Sequence, residues 1–295
     1  MNDKTFNVGR VTFSQNRCAV IAEAGVNHLG DMVLARELVE AAARAGADII
    51  KFQTYKAEKL TRRDAPRFWN WEGETDSEGS QFDSYSQLDA FGIDEYRELK
   101  KMCDEAGIEF MSTPFDKDSV DLLVEVGVQG FKIASCDITN FALLEHVASK
   151  GLPVLLSTGA SEITEIRDAL ELLHSKGLKD VLIMHCTLTY PTPPEDANLA
   201  AILQLREEFP GALVGYSDHT LGHEIGAAGT LFGSSALEKH FTVDKSLPLS
   251  ADHWLSLDEA DLTECVRMVR LFELARGHGH KRVLESEKLA RSHAR

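Results

Sequence analysis

Eight times along this chain a short apolar run ends in a polar or charged cluster and is followed by a stretch with helical spacing. The clusters are Glu23, Lys51 with Gln53, Ser112 with Thr113, Lys132 with Ser135, Ser157, His185 with Thr187, Ser217 with His219, and Glu238 with His240. Each lies at the carboxyl end of its run. Strand alternating with helix at this spacing calls for parallel pairing, and parallel strands covered on both faces read as continuous apolar runs, as these do. An open doubly wound sheet is the competing arrangement, and a count of eight favours closure into a (β/α)8 TIM barrel. In such a barrel the carboxyl ends of all strands converge on one face, where catalytic groups are collected from many strands.

The runs at 18–23, 48–53, 108–114, 130–135, 153–158, 181–187, 212–217 and 235–241 supply the strands. Helical spacing is clearest at 34–45, 119–126, 141–149 and, last, 257–275. Residues 18–280 are therefore expected to form one barrel domain. An N-terminal extension over 1–17 is expected to place a hairpin at 5–13 across the barrel bottom, and 281–295 form a charged tail of helical pattern. The pattern breaks at 56–91, a polar and aromatic insertion holding Trp69, Trp71, Gly73, Gly79 and Tyr85. That is far longer than the usual connection and reads as a lid or partner surface. The plainer account of Trp69 and Trp71 is packing on the barrel rim or a neighbouring subunit.

With 295 residues and 43% hydrophobic content, the chain can bury the core of one barrel. Its net charge of -16, from 47 acidic against 31 basic residues, argues against a general nucleic-acid binder, which needs clustered Lys and Arg. Any anionic ligand must be held by a local positive pocket. The five cysteines are scattered without a CxxC pair, which suits the reducing cytoplasm. No apolar signal core precedes residue 15 and no segment approaches the ~20 apolar residues of a membrane span, so no membrane partner is expected.

Side chains two apart on a strand share a face, so Lys51 and Gln53, Ser217 and His219, and Glu238 and His240 can share one pocket. His219 and His240, near the ends of adjacent strands, are placed to hold a divalent transition metal through imidazole nitrogen with positions left open. A hydrogen-bonded structural role for each is the alternative. Lys51 and Lys132 sit in apolar strands and need a partner or an anionic ligand. An ion pair with Glu23 or Glu238 is one reading and a Schiff-base lysine another. Hydroxyls at Thr113, Ser135, Ser157 and Ser217 favour a cradle for phosphate and carboxylate.

The segments Ile21-Ala-Glu-Ala-Gly-Val-Asn-His28, Lys51-Phe-Gln-Thr54, Ser112-Thr-Pro-Phe-Asp116, Lys132-Ile-Ala-Ser135 and Ser157-Thr-Gly159 occur in this order. His185-Cys-Thr187 with Tyr190-Pro-Thr-Pro193, Gly215-Tyr-Ser-Asp-His-Thr220 and Glu238-Lys-His-Phe241 follow. Together they resemble the sialic acid (N-acetylneuraminate) synthase family from residue 18 to about 275. The resemblance implies a barrel that condenses phosphoenolpyruvate with an N-acetylated amino sugar, N-acetylmannosamine or a relative, to a sialic-type nonulosonic acid and phosphate. It implies a divalent cation, usually manganese with magnesium or cobalt as alternatives, on His219 and His240, and a homodimer. Lys51, Thr113, Lys132, Ser135, Ser157 and Ser217 match positions that hold phosphoenolpyruvate. Gln53, Tyr190 and Asp252 match positions assigned to the sugar or a metal-bound water, and Glu23 and Glu238 are the acid/base candidates. The sequence departs from the family at Leu188 and at Cys136-Asp137, and it ends at Arg295 without the family's usual C-terminal antifreeze-like domain. The competing expectations are a catalytically silent sugar-binding barrel or partner subunit, and a phosphoenolpyruvate-dependent 3-deoxy-keto acid synthase with another aldose acceptor.

Overall fold

The computed structural model describes residues 4–67, 69, 79–247, 252–277 and 279–294. It opens with an antiparallel hairpin, β1 (Thr5–Val8) and β2 (Val11–Ser14), which sets Phe6 opposite Phe13 and Val8 opposite Val11. Eight parallel strands follow: β3 (Ala19–Gly25), β4 (Ile49–Thr54), β5 (Glu109–Pro114), β6 (Phe131–Ile133), β7 (Val154–Ser157), β8 (Val181–Cys186), β9 (Leu213–Asp218) and β10 (Ala236–His240). Their ladders run in the order β5-β4-β3-β10-β9-β8-β7-β6, and β5 lies beside β6 to close the circle. The fold is a TIM barrel. The outer ring comprises α1 (Met32–Arg44), α4 (Ile93–Ala106), α5 (Lys117–Val126), α6 (Phe141–Ala148), α7 (Ile163–Ser175), α8 (Ala201–Glu208), α9 (Glu224–Ala228) and α10 (Glu259–Arg276), with the short α2 (Ala57–Leu60) and α3 (Gln81–Ser86) in the loop between β4 and α4 and α11 (Lys288–Ala294) in the tail.

Local sequence sets where these elements start and stop. The α5 helix begins where the Asp116 carboxylate accepts hydrogen bonds from the Asp118 and Ser119 amides, and it ends at Gly127, whose φ of 90° suits glycine. The run at 130–135 yields a strand of only three residues, because the backbone turns into a 3-10 turn at Ser135–Asp137. Ser135 therefore reaches the mouth from a turn. Within 56–91, α2 and α3 interrupt the loop; Lys56 Nζ donates to Phe91 O at 3.1 Å and Ala57 N to Asp89 Oδ2 at 2.8 Å, which ties the two ends of the insertion together. Trp71 and Gly73 lie outside the described residues.

Alternation along the strands divides the interior into two cores. Outward side chains such as Phe52, Phe110, Ile183 and Leu237 pack on Leu38, Leu99, Leu123 and Leu173 of the helices. Inward side chains Ile21, Ile49, Met111, Leu155, Leu182 and Met184 fill the lower barrel, where Phe6, Val8, Val11 and Phe13 of the hairpin join them. With the lower layers apolar, polar inward positions collect at the carboxyl ends. No helix among the described residues is long and apolar enough to cross a membrane.

Two buried histidines outside the mouth make stability depend on pH. His28, 1% exposed, stacks on Phe91 with ring centroids 4.1 Å apart, and its Nδ1 accepts from Gly30 N at 3.1 Å. His253 lies 2.8 Å through Nδ1 from Thr242 Oγ1. Burial pushes both down from 6.5 to about 4. Between those values the unfolded chain binds protons that the folded chain refuses, so stability is present above the unfolded value and is lost as pH falls. Each ring is expected to contribute a slope of up to about 1.4 kcal/mol per pH unit in that window. Urea midpoints measured from pH 7 to 5 check this, and His28→Gln should flatten the profile; an unaltered slope in that variant would count against His28 as the group responsible.

Candidate active site at the barrel mouth

Period two along each strand turns Glu23, Lys51, Gln53, Thr113, Lys132, Ser157, Ser217, Glu238 and His240 toward one mouth, because they sit above the inward apolar positions. The centre is Glu238. Its Oε1 accepts from Lys132 Nζ at 2.9 Å and from Ser217 Oγ at 2.9 Å, and its Oε2 lies 3.7 Å from Lys51 Nζ. Lys51 Nζ also stands 2.6 Å from Glu23 Oε2 and donates to Thr113 Oγ1 at 3.0 Å, while Gln53 Nε2 donates to Glu23 Oε1 at 3.0 Å. Strand register enforces these pairings, since Lys51 lies opposite Glu23 and Glu238 opposite Ser217.

Two ammonium groups and two carboxylates thus share one buried cluster. Burial works to raise the Glu238 carboxyl, but Lys132 and then Lys51, with hydrogen bonds from Lys132 and Ser217, outweigh it and hold the group well below the ordinary carboxylate range. Burial works to lower Lys51, and Glu23 and Glu238 overcome it, so its amine stays charged. A Schiff-base lysine needs the opposite shift. The ion-pair reading of the two lysines therefore describes what the folded chain holds. It leaves donors to spare: with one N–H on Glu238, the Lys132 ammonium can give two more hydrogen bonds.

Beside the lysines stands a wall of small polar groups. Ser135 Oγ accepts from Gly159 N at 2.9 Å. Ser157 Oγ is buried without a hydrogen-bond partner among the described residues. A Cβ at Gly159 would stand 2.8 Å from Ser135 Oγ and 3.1 Å from Cys186 Sγ, so glycine keeps this wall open. An unsatisfied hydroxyl next to buried ammonium groups is a natural place for an anionic oxygen.

The imidazoles adjoin this wall through Cys186, and their ring centroids are 5.4 Å apart. His219 donates from Nδ1 to Thr187 O at 3.0 Å, which leaves Nε2 with its lone pair. Burial, and then His240, pushes His219 down to about 3, so the ring is neutral and able to ligate across the working pH range. His240 Nδ1 is buried without a hydrogen-bond partner among the described residues and lies 3.5 Å from Asp252 Oδ2. Tyr190, 45% exposed, roofs the pair at 4.1 Å from the His219 ring and 5.8 Å from the His240 ring. Two nitrogen donors with a carboxylate at hand fit a borderline divalent cation. Among the described residues no three of His, Cys, Asp and Glu converge into a complete cage, so water or substrate would have to fill the remaining positions.

Of the residues singled out from the sequence, Glu23, Lys51, Gln53, Thr113, Lys132, Ser217 and Glu238 form one bonded cluster, Tyr190, His219, His240 and Asp252 lie together at the rim, and Ser135 and Ser157 stand at the carboxyl ends of β6 and β7. Three members of the sequence clusters, Ser112, His185 and Thr187, turn away from the mouth, and Thr187 Oγ1 donates to Asp196 O at 2.8 Å. His185 stacks on Tyr216 behind the sheet and bonds Ala197 O through Nε2, and Ser112 pairs with Thr54 Oγ1. Strand parity is the reason: Cys186, not His185, faces the interior, with Sγ 3.9 Å from His219 Nδ1. Cys186 and Gly159 are the site neighbours that reading by residue type passed over; counting alternate positions up from Leu182 and Met184 finds the first.

The sequence model of the NeuB family matches residues 38–281, which is most of the chain. The chain belongs to the NeuB family. It is 41% identical over 93% of its length, and 77% of the other protein's, to N,N'-diacetyllegionaminic acid synthase of Legionella pneumophila. It is 35% identical to human N-acetylneuraminate-9-phosphate synthase, over 95% of this chain and 77% of that one. Among solved structures, the N-acetylneuraminic acid (sialic acid) synthetase of Leptospira borgpetersenii, crystallised in complex with citrate, superimposes with a TM-score of 0.87. That pair is 34% identical, covering 99% of this chain and 96% of the other. With named synthases this similar along nearly its whole length, this NeuB-family chain is an enzyme of the synthase class.

Proposed function

We propose that this NeuB-family enzyme condenses phosphoenolpyruvate with an N-acetylated amino sugar, N-acetylmannosamine or a related hexosamine, to a nine-carbon 3-deoxy-2-keto acid, releasing inorganic phosphate. The observation that carries the reading is the adjacency within one mouth of a cationic, hydroxyl-lined wall and two imidazoles. The relatives' names, legionaminic and neuraminic acid synthases, support the product class.

The phosphate and carboxylate of phosphoenolpyruvate are assigned to Lys132, Lys51, Ser157, Ser217 and the Ser135–Gly159 wall, whose donors are fixed before substrate arrives. The acceptor is assigned to the Gln53, Tyr190 and Asp252 side. Carbon 3 of phosphoenolpyruvate attacks the aldehyde carbon, water adds to carbon 2, and the resulting hemiketal phosphate loses phosphate by carbon–oxygen cleavage. Glu238, bound to Lys132 and Ser217, and Glu23, hydrogen-bonded to Gln53 on the acceptor side, are the acid/base candidates for the proton that leaves that water and the proton that reaches the former aldehyde oxygen. His219 and His240 would hold a divalent cation, manganese with magnesium or cobalt as alternatives, which when bound supplies Lewis-acid polarisation of a carbonyl. The cytoplasmic location expected from the cysteine pattern and the homodimer expected from the resemblance belong to the same proposal.

A phosphate-release assay across a panel of acceptor sugars tests this. Release is expected only when phosphoenolpyruvate, an N-acetylated hexosamine and a divalent cation are present together, and chelator should stop it. Calorimetric sugar binding without release under any metal would instead support a silent barrel, and release with a simple aldose phosphate would move the enzyme to another 3-deoxy-keto acid.

A further inference from the structure

Behind β9 and β10, on the face turned away from the mouth, lies a buried ion pair that the proposed reaction does not use. Lys239 is 1% exposed, and its Nζ donates to Asp218 Oδ2 at 3.0 Å and to Thr220 O at 2.6 Å. Asp218 Oδ1 accepts from Tyr216 OH and from Thr220 N, both at 2.9 Å, and Oδ2 accepts from Thr220 Oγ1 at 3.0 Å. The α9 helix rests directly on the pair through Gly226, where a Cβ would stand 2.7 Å from Asp218 Oδ2 and 3.2 Å from Lys239 Cδ. Burying two charges costs several kcal/mol, and an apolar pair of similar volume would often fold as well or better. Stability alone gives no reason for it.

Geometry does. Asp218 pairs with Lys239 as the last register of the β9–β10 ladder, and the chain leaves the sheet at His219. The cluster holds the chain on both sides of His219, through the Asp218 side chain before it and the Thr220 N–H, hydroxyl and carbonyl after it, and ties it to Lys239, the residue before His240. Outward residues thereby fix where the two inward imidazoles stand. We propose that Asp218 and Lys239 are positioning residues, a clamp that sets the separation of His219 and His240 and so the affinity of the mouth for a divalent cation. The clamp rests on the reading that these imidazoles hold the cation.

The test is calorimetric titration of the full chain with Mn2+ alone, without substrates, alongside thermal unfolding in chelator. Wild type should bind and His219→Ala should not; absence of binding by wild type overturns the cation reading itself, and the clamp with it. The neutral pair Asp218→Asn with Lys239→Met is expected to fold and to bind Mn2+ about 10–100-fold more weakly, the usual effect of disturbing groups that orient a ligand. Thr220→Val, which removes one hydrogen bond and leaves both charges, is expected to weaken binding about threefold to tenfold. Leu173→Ala, a core truncation far from the mouth, should lower the melting temperature without changing Mn2+ affinity. A folded double variant that binds within about twofold of wild type overturns the clamp, and so does a double variant that cannot fold, which would make the pair a folding element.

Discussion

His219→Ala is expected to abolish phosphate release, by at least about a thousandfold, while leaving the barrel folded. Losing one of two imidazole donors removes polarisation worth several kcal/mol to the transition state, and about 4 kcal/mol is three orders of magnitude in rate. The barrel tolerates the change because the ring is neutral when buried, so its removal strands no charge. Among the described residues, the backbone loses the 3.0 Å hydrogen bond from the ring to Thr187 O. Circular dichroism and an unaltered thermal transition should accompany the loss of turnover and of Mn2+ binding. Intact turnover would remove His219 from the cation site and leave its neutral ring a structural feature of the rim.

Much of this arrangement was legible before any coordinates, because a parallel barrel writes itself into sequence twice, as apolar runs and as polar residues at their ends. Period two then placed Lys51 with Gln53 and Glu238 with His240 correctly. It failed where residue type was allowed to overrule parity: His185 drew attention as a histidine, yet its neighbour Cys186 is the one that faces the mouth. Pairings were legible only as alternatives. Whether Lys51 meets Glu23, Glu238 or an anion depends on distances between strands, and the answer is that it meets both carboxylates at once. The short β6 was hidden because a local 3-10 turn at Ser135 competes with the ladder in an otherwise strand-like run. Asp218 and Lys239 drew no reading from the sequence, where they stand between site residues inside the motifs, and the pleat turns them outward.

Lys132→Met should damage stability and turnover together, and a second substitution should separate the two. In the single variant Glu238 keeps Ser217 at 2.9 Å and Lys51 at 3.7 Å but loses its nearest cation. Stranding a buried carboxylate in this way costs about 3–5 kcal/mol. Because the wild-type carboxyl is held well below its ordinary value of 4.5, its contribution to stability is present above that pH and fades below it. The gap between wild type and Lys132→Met in urea midpoint should therefore be widest at neutral pH and narrow as the solution is acidified. Adding Glu238→Gln removes the stranded charge and should restore most of the midpoint, since a neutral amide can still accept from Ser217 Oγ. It should not restore phosphate release, because the ammonium that would meet phosphoenolpyruvate is still missing and the Glu238 carboxylate, an acid/base candidate, is now missing too. Recovery of turnover along with stability in the double variant would show that Lys132 serves only to balance Glu238 and that Glu238 moves no proton, and the anion cradle would then have to be rebuilt around Lys51 and the Ser135–Gly159 wall.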